Sequence, residues 1–186
     1  MAATHSTGRV ALLLRGINVG GKNKLPMADV KGLLKALGAI EPVSYLQSGN
    51  VVCSSTDPEL HTKLSKAIAN SAKLDVPVMR RTGAELAAVI AGNPFPEQAG
   101  RPKNLHVAFL TEAPDCLSTE LGTIHFEGAV LRHGDDELVL ADREIYLSYA
   151  ANSRNSSLAA VLRKSKLDFT ARNWTTVCKL AELANT

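Results

Sequence analysis

At 186 residues the chain is long enough to bury a real core, as one domain or two small ones. Its 45% hydrophobic and 21% charged residues are ordinary for a globular protein. A net charge of +3 with 4% aromatic residues argues against a nucleic-acid surface built on a basic face and stacked rings.

Residues 1–8 are small and polar and read as a flexible tail, without the apolar core of a signal peptide. No apolar run approaches a membrane span, so no membrane partner is expected. Cys53, Cys116 and Cys178 are far apart, which suits a reducing cytoplasm better than a disulfide framework.

The first strand is expected at Arg9 to Leu14, a continuous apolar run of the kind buried on both faces. After a glycine-rich loop, Met27, Val30, Leu33, Leu34 and Leu37 share one helical face, with Pro26 at the first helical position and Gly38 as the stop. Val43 to Gln47 and Asn50 to Ser54 read as strands joined tightly at Ser48-Gly49. Asp57-Pro58-Glu59 starts a helix carrying Leu60, Leu64 and Ile68, and Asp75 to Arg81 forms a fourth strand. That order, β-α-β-β-α-β, is ferredoxin-like. It sets strands one and two parallel on either side of strand three, and brings the glycine loop and the Ser48-Gly49-Asn50 turn to one sheet edge.

Thr82 and Glu85 have capping-box spacing for a helix running to Gly92. The Pro- and Gly-rich residues 93–103 read as a linker, dividing a half at 9–92 from a second α+β half at 104–186. The second half is expected to hold a strand at Leu105 to Leu110, a short helix near Asp115 to Leu121, and about three strands between Ile124 and Tyr149. A helix then begins at Asn155 or Ser156, and Thr170 caps a last helix with Trp174 inward. The whole is α+β, and the second half is a candidate degenerate copy of the first.

The stretch richest in chemistry is Arg15 to Lys24. Gly16, Gly20 and Gly21 let the backbone turn through positive φ, while Arg15, Asn18, Lys22, Asn23 and Lys24 supply donors between a strand end and a helix start. Ser48 and Asn50, in the neighbouring turn, are candidate second-tier donors. A small phosphate-bearing or other anionic ligand is the expected occupant, against the alternative that these charges are merely solvated around a tight connection.

Gly16 to Asn23 also matches G-x-x-x-x-G-K, and Leu138 to Asp142 looks like a strand ending in a Mg²⁺-organising carboxylate. Against a P-loop, Asn23 stands where a hydroxyl is needed, Pro26 delays the helix by about a turn, and the Asp142 strand sits among antiparallel neighbours. A phosphoryl-transfer enzyme of non-standard design and a ligand-free structural or oligomerisation module are the other readings.

A second candidate anion site joins Arg154 with Arg172 and Asn173, at the starts of the last two helices. The alternative there is that Asn155 and Thr170 cap the helices while both arginines are solvated. His125 and His133 flank a strand without a partner at metal-ligand spacing, so no metal is expected, and His106 reads as a core histidine. Nucleic acid is disfavoured because Arg80-Arg81 should end strand four, at the opposite sheet edge from the loop. The residues specify no cofactor, oligomeric state or catalytic group.

Leu13-Leu14-Arg15-Gly16-Ile17-Asn18-Val19-Gly20-Gly21-Lys22-Asn23-Lys24-Leu25-Pro26-Met27 resembles the opening signature of a bacterial family, domain of unknown function 1697. Gln47 to Val52, Asn93 to Pro96, Lys103 to Val107, Tyr146 to Tyr149 and Thr170 to Trp174 fall where that family has similar blocks, so the likeness runs from Val10 to about Leu183. It implies a cytoplasmic bacterial α+β protein without an established activity, and it carries over no site residues. The family often has glycine-arginine-serine-lysine-leucine where this chain reads Ser153-Arg154-Asn155-Ser156-Ser157-Leu158. Losing that glycine and lysine weakens an anion site at Arg154.

Overall fold

Strand β1 (Arg9–Leu14) is the hub of the first sheet, and Val10 to Leu14 are all buried. It pairs antiparallel with β3 (Asn50–Ser54) on one side and β4 (Val78–Thr82) on the other. Strand β2 (Ile40–Ser44) joins the outer edge of β3, giving the order β2-β3-β1-β4. Both β1 and β2 run against β3, so they are parallel to each other across it. The computed structural model describes residues 8–119, 122–125, 130–151, 153, 156–165 and 167–186.

Alternation decides what each face of β1 meets. Val10, Leu12 and Leu14 point into a core shared with Val51, Cys53 and Val78, and with two helices. Helix α1 (Met27–Ala36) contributes Met27, Val30 and Leu34, and Gly38 ends it at a φ of +84°. Pro26 stands just before the helix rather than inside it. Helix α2 (Leu60–Ala72) contributes Leu60, Leu64 and Ile68, and Asp57 accepts the N–H of Glu59 at its start. Helix α3 (Gly83–Ala91) opens on the expected capping box: Thr82 N–H donates to Glu85 Oε2 at 2.6 Å and Glu85 N–H to Thr82 Oγ1 at 3.1 Å.

The chain divides into two compact units, one of residues 1–88 with 179–186 and the other of 89–178. The second unit is built on strands β5 (Leu105–Leu110), β8 (Val130–His133), β9 (Asp136–Ala141), β10 (Glu144–Ser148) and β11 (Phe169–Asn173). They form a sheet ordered β11-β5-β10-β9-β8, antiparallel at every pairing. Helix α4 (Ser157–Lys164) packs Leu158, Ala159 and Leu162 against Ala108, Leu110, Leu147 and Tyr149. Helix α5 (Trp174–Ala184) follows β11 directly.

The helix expected near Asp115 to Leu121 is not formed in the described part. Cys116–Thr119 is instead strand β6, paired antiparallel with β7 (Gly122–His125). Thr170 lies inside β11, and Asn173 caps α5 in its place by accepting the Thr176 N–H at 2.9 Å. Ser156 caps α4, accepting the Ala159 N–H at 2.9 Å.

One feature recurs in both units. Arg81 and Arg172 are each the penultimate residue of their strand and each buried. Arg81 lies opposite Ala11, the third residue of β1, and Arg172 opposite Val107, the third residue of β5. Each Nη1 donates to the carbonyl of the preceding residue, at 2.8 Å to Arg80 and 2.9 Å to Ala171.

Candidate functional site

The glycine loop leaves β1 with Gly16, Asn18, Gly20, Gly21 and Asn23 at φ values of 68°, 55°, 59°, 76° and 48°. Val19 and Lys22 bridge across the two central glycines, and the Lys22 N–H donates to the Val19 carbonyl at 3.2 Å. Successive positive φ values make this a tight hairpin turn of the kind that asparagine and glycine favour.

The asparagines turn inward. Asn18 Nδ2 donates to the carbonyls of Leu25 and Gln47, both at 2.8 Å, and its Oδ1 accepts the Leu25 N–H at 2.9 Å. Asn23 Nδ2 donates to the Gly16 carbonyl at 3.0 Å, and its own carbonyl accepts the Asn18 N–H at 3.1 Å. Lys22 and Lys24 are exposed, while Arg15 is half-buried with its N–H on the Pro77 carbonyl at 3.0 Å.

The Ser48-Gly49-Asn50 turn does lie at the same sheet end, since the Leu14 N–H donates to the Gly49 carbonyl at 2.8 Å. Asn50 is fully buried there and donates to the Tyr45 carbonyl at 2.9 Å and to Ser48 Oγ at 3.3 Å. The loop and turn therefore come together, and the side-chain amides of Asn18, Asn23 and Asn50 all donate to backbone carbonyls there. Helix α1 begins at Met27, beyond Lys22, and β1 has antiparallel neighbours on both sides, a different arrangement from the parallel sheet of a P-loop.

In the second candidate set, Arg154 lies outside the described residues. Arg172 is buried rather than solvated, donates to Thr170 Oγ1 at 2.6 Å, and is pulled down to about 10 by desolvation. Asn173 is occupied as the α5 cap. Among the described residues no group of three or more His, Cys, Asp or Glu is placed to hold a metal.

A different set of residues forms a cavity of about 550 Å³ at the opposite end of the first sheet. Arg9 opens β1, Thr82 closes β4, and Ser55 follows β3, so three strand ends meet there with the first residues of α3. Arg9 and Arg80 both line it, and the Nε of each is buried without a hydrogen-bond partner among the described residues. Among the described residues its polar lining otherwise consists of Ser55, Thr56, Thr82 and Asn185, with no carboxylate side chain.

Cys53, on the neighbouring strand β3, is buried. Burial pushes its thiol up to about 11, against the pull of the Arg9 and Arg80 guanidiniums. Two half-buried arginines, each with a buried Nε that has no partner among the described residues, thus lie beside one cavity, and a buried donor left unpaired is costly.

Sequence reasoning passed over this pair. The signal for Arg80 is its phase: β4 alternates, and Arg80 lies opposite Leu12, between the Leu14–Val78 and Val10–Thr82 pairs. It therefore occupies an inward position where an apolar residue belongs.

Three comparisons bear on this geometry. Residues 8–146 match the family described as "Protein of unknown function (DUF1697)". The chain is similar to a solved structure of conserved bacterial protein SP0830 from Streptococcus pneumoniae, with 24% sequence identity, a TM-score of 0.71, and coverage of 95% of this chain and 98% of that one. At that identity the likeness carries the fold alone. No curated protein matches the chain. With the family match running from the start of β1 to the middle of β10, this chain belongs to the DUF1697 family of proteins of unknown function.

Proposed function

We propose that the chain is a binding protein for a small phosphate-bearing ligand, held in the Arg9–Arg80 cavity of the first unit. The observation that carries this is that Arg9 and Arg80 both line one cavity, each with a buried Nε lacking a partner, and that no carboxylate side chain lines it among the described residues. Guanidinium groups present donors in a planar fork that matches phosphate oxygens, and an anion there would satisfy groups that the protein leaves unsatisfied. The hydroxyls of Ser55, Thr56 and Thr82 give the ligand further hydrogen bonds. On this reading the glycine loop is a structural clasp, because Asn18 and Asn23 use their side chains to hold Leu25, Gln47 and Gly16. Free cysteines fit a reducing cytoplasm as its compartment.

Thermal shift and calorimetry with inorganic phosphate and ribose 5-phosphate test the proposal. A ligand that binds only the folded state raises its stability in a saturable way. Arg9→Gln and Arg80→Gln should each weaken binding roughly ten- to a hundredfold, the usual loss for a charged hydrogen bond, and Lys22→Ala should leave it unchanged. Absence of saturable binding, or its loss in Lys22→Ala with Arg80→Gln unaffected, overturns the proposal.

A further inference from the structure

The second unit has a cavity of its own, of about 270 Å³, lined by His106, Leu147, Tyr149, Ala159, Leu162 and Arg163 among others. We infer that it is a second binding site, for a small one-ring organic acid whose ring carries a hydrogen-bonding group remote from the carboxylate.

Position is the first argument. The first sheet is ordered β4-β1-β3-β2, and four strands of the second repeat that order as β11-β5-β10-β9. Arg81 and Arg172 hold matching register positions in these two sheets. The first cavity takes in the start of β1 and the ends of β3 and β4. The second takes in the corresponding start of β5, the end of β10, and β11. The two cavities therefore occupy like places in like sheets, and differ in chemistry.

That chemistry selects the ligand. Leu147, Ala159 and Leu162 make an apolar floor belonging to the core of this unit. The volume suits one ring, at the small end of ligand pockets. His106 lines the cavity and supplies the polar group, and its Nδ1 is committed to no hydrogen-bond partner among the described residues. Desolvation lowers its pKa, so the imidazole is neutral and can donate or accept according to its tautomer. Tyr149 meets the imidazole edge-on, with ring centroids 5.2 Å apart and planes at 67°, which fixes the ring's orientation. Arg163, exposed in the last turn of α4, supplies the positive charge for a carboxylate.

The test follows the His106 ring resonances by NMR in the full chain, with 4-hydroxybenzoate, benzoate and 4-hydroxybenzyl alcohol as probes. Expected is saturable movement of the His106 signals with 4-hydroxybenzoate, roughly tenfold weaker with each of the other two, since each lacks one polar contact. His106→Phe keeps an aromatic ring against Tyr149 and removes an unsatisfied polar atom, so it should fold. In it 4-hydroxybenzoate should lose its preference over benzoate, read from Tyr149. Arg163→Gln, at an exposed site, should erase the preference over the alcohol. Signals that do not move or saturate, or preferences that survive both substitutions, overturn the inference. The readout lies within the second unit, so failure of phosphate to bind the Arg9–Arg80 cavity leaves the expected result unchanged.

Discussion

Asn18 and Leu25 exchange two hydrogen bonds: Asn18 Nδ2 donates to the Leu25 carbonyl at 2.8 Å, and the Leu25 N–H donates to Asn18 Oδ1 at 2.9 Å. The side-chain amide thereby stands in for a strand's backbone, closing the glycine loop just before α1. The same Nδ2 reaches the Gln47 carbonyl at 2.8 Å, so one side chain ties the end of β1, the start of α1 and the β2–β3 turn together. Asparagine suits the position twice over, since it also tolerates the φ of +55°.

Asn18→Ala should therefore cost about 2–4 kcal/mol, from three side-chain hydrogen bonds at roughly 1 kcal/mol net each plus strain at positive φ. Asn18→Gly loses the bonds but not the backbone tolerance, and should be about 1 kcal/mol less damaging than alanine. Urea unfolding of the three proteins measures both differences. Equal stability of Asn18→Ala and the parent would mean that the loop closes without this side chain.

Gly49 makes a second prediction, in which backbone and packing act together. Its φ is +86°, and a Cβ there would lie 2.8 Å from Leu14 Cβ and 3.0 Å from Ile17 Cγ1. Both neighbours are fully buried and cannot retreat. Gly49→Ala should cost about 3 kcal/mol or more, adding overpacking to left-handed strain. Gly134 has a φ of +61° but open space around it, so Gly134→Ala should cost only the strain, about 1–2 kcal/mol. The difference in urea midpoint between the two variants isolates the steric part.

What the sequence made legible is what local pattern determines. The apolar stripe of α1, the Thr82–Glu85 capping box and the buried run of β1 each rest on neighbours within a few residues, and each stands where periodicity places it. The error at Cys116–Thr119 has a physical source. Pro114-Asp115 signals a turn as readily as a helix start, and the choice was made by pairing with Gly122–His125, which a short window cannot weigh. The site was less legible still. The glycine loop drew attention through composition, whereas Arg9 and Arg80 matter because strand ends distant in sequence converge on one cavity. His106 was readable as a satisfied core histidine, whereas its Nδ1 has no partner among the described residues.

The cysteines should separate by environment. Cys53 is fully buried, with its thiol pushed up to about 11, whereas Cys116 and Cys178 are half-buried. The thiolate is the reactive species, so at pH 8 about one part in a thousand of Cys53 is competent even before access is considered. Labelling with a thiol-disulfide reagent should modify Cys53 last, at a rate set by opening of the first unit, and at once in denaturant. Mass spectrometry of the digested protein identifies the order. Early modification of Cys53 would contradict its place in the core.

Stability against pH should carry the signature of His106. Burial lowers its folded-state pKa below the ordinary 6.5. Between those two values the unfolded chain binds a proton that the folded chain does not, so stability rises with pH there. The contribution is fully present above 6.5 and is lost as pH falls through the lowered folded-state value. Each tenfold reduction in proton affinity corresponds to about 1.4 kcal/mol. His106→Phe removes the titration while keeping an aromatic ring beside Tyr149. Subtracting its urea-unfolding profile from the parent's cancels every other titrating group that the substitution does not touch. The difference should be flat from pH 8 to near 6.5 and then turn against the parent toward pH 5. A difference that stays flat to pH 5, or turns in the opposite sense, would mean that burial does not disfavour the charged form of His106.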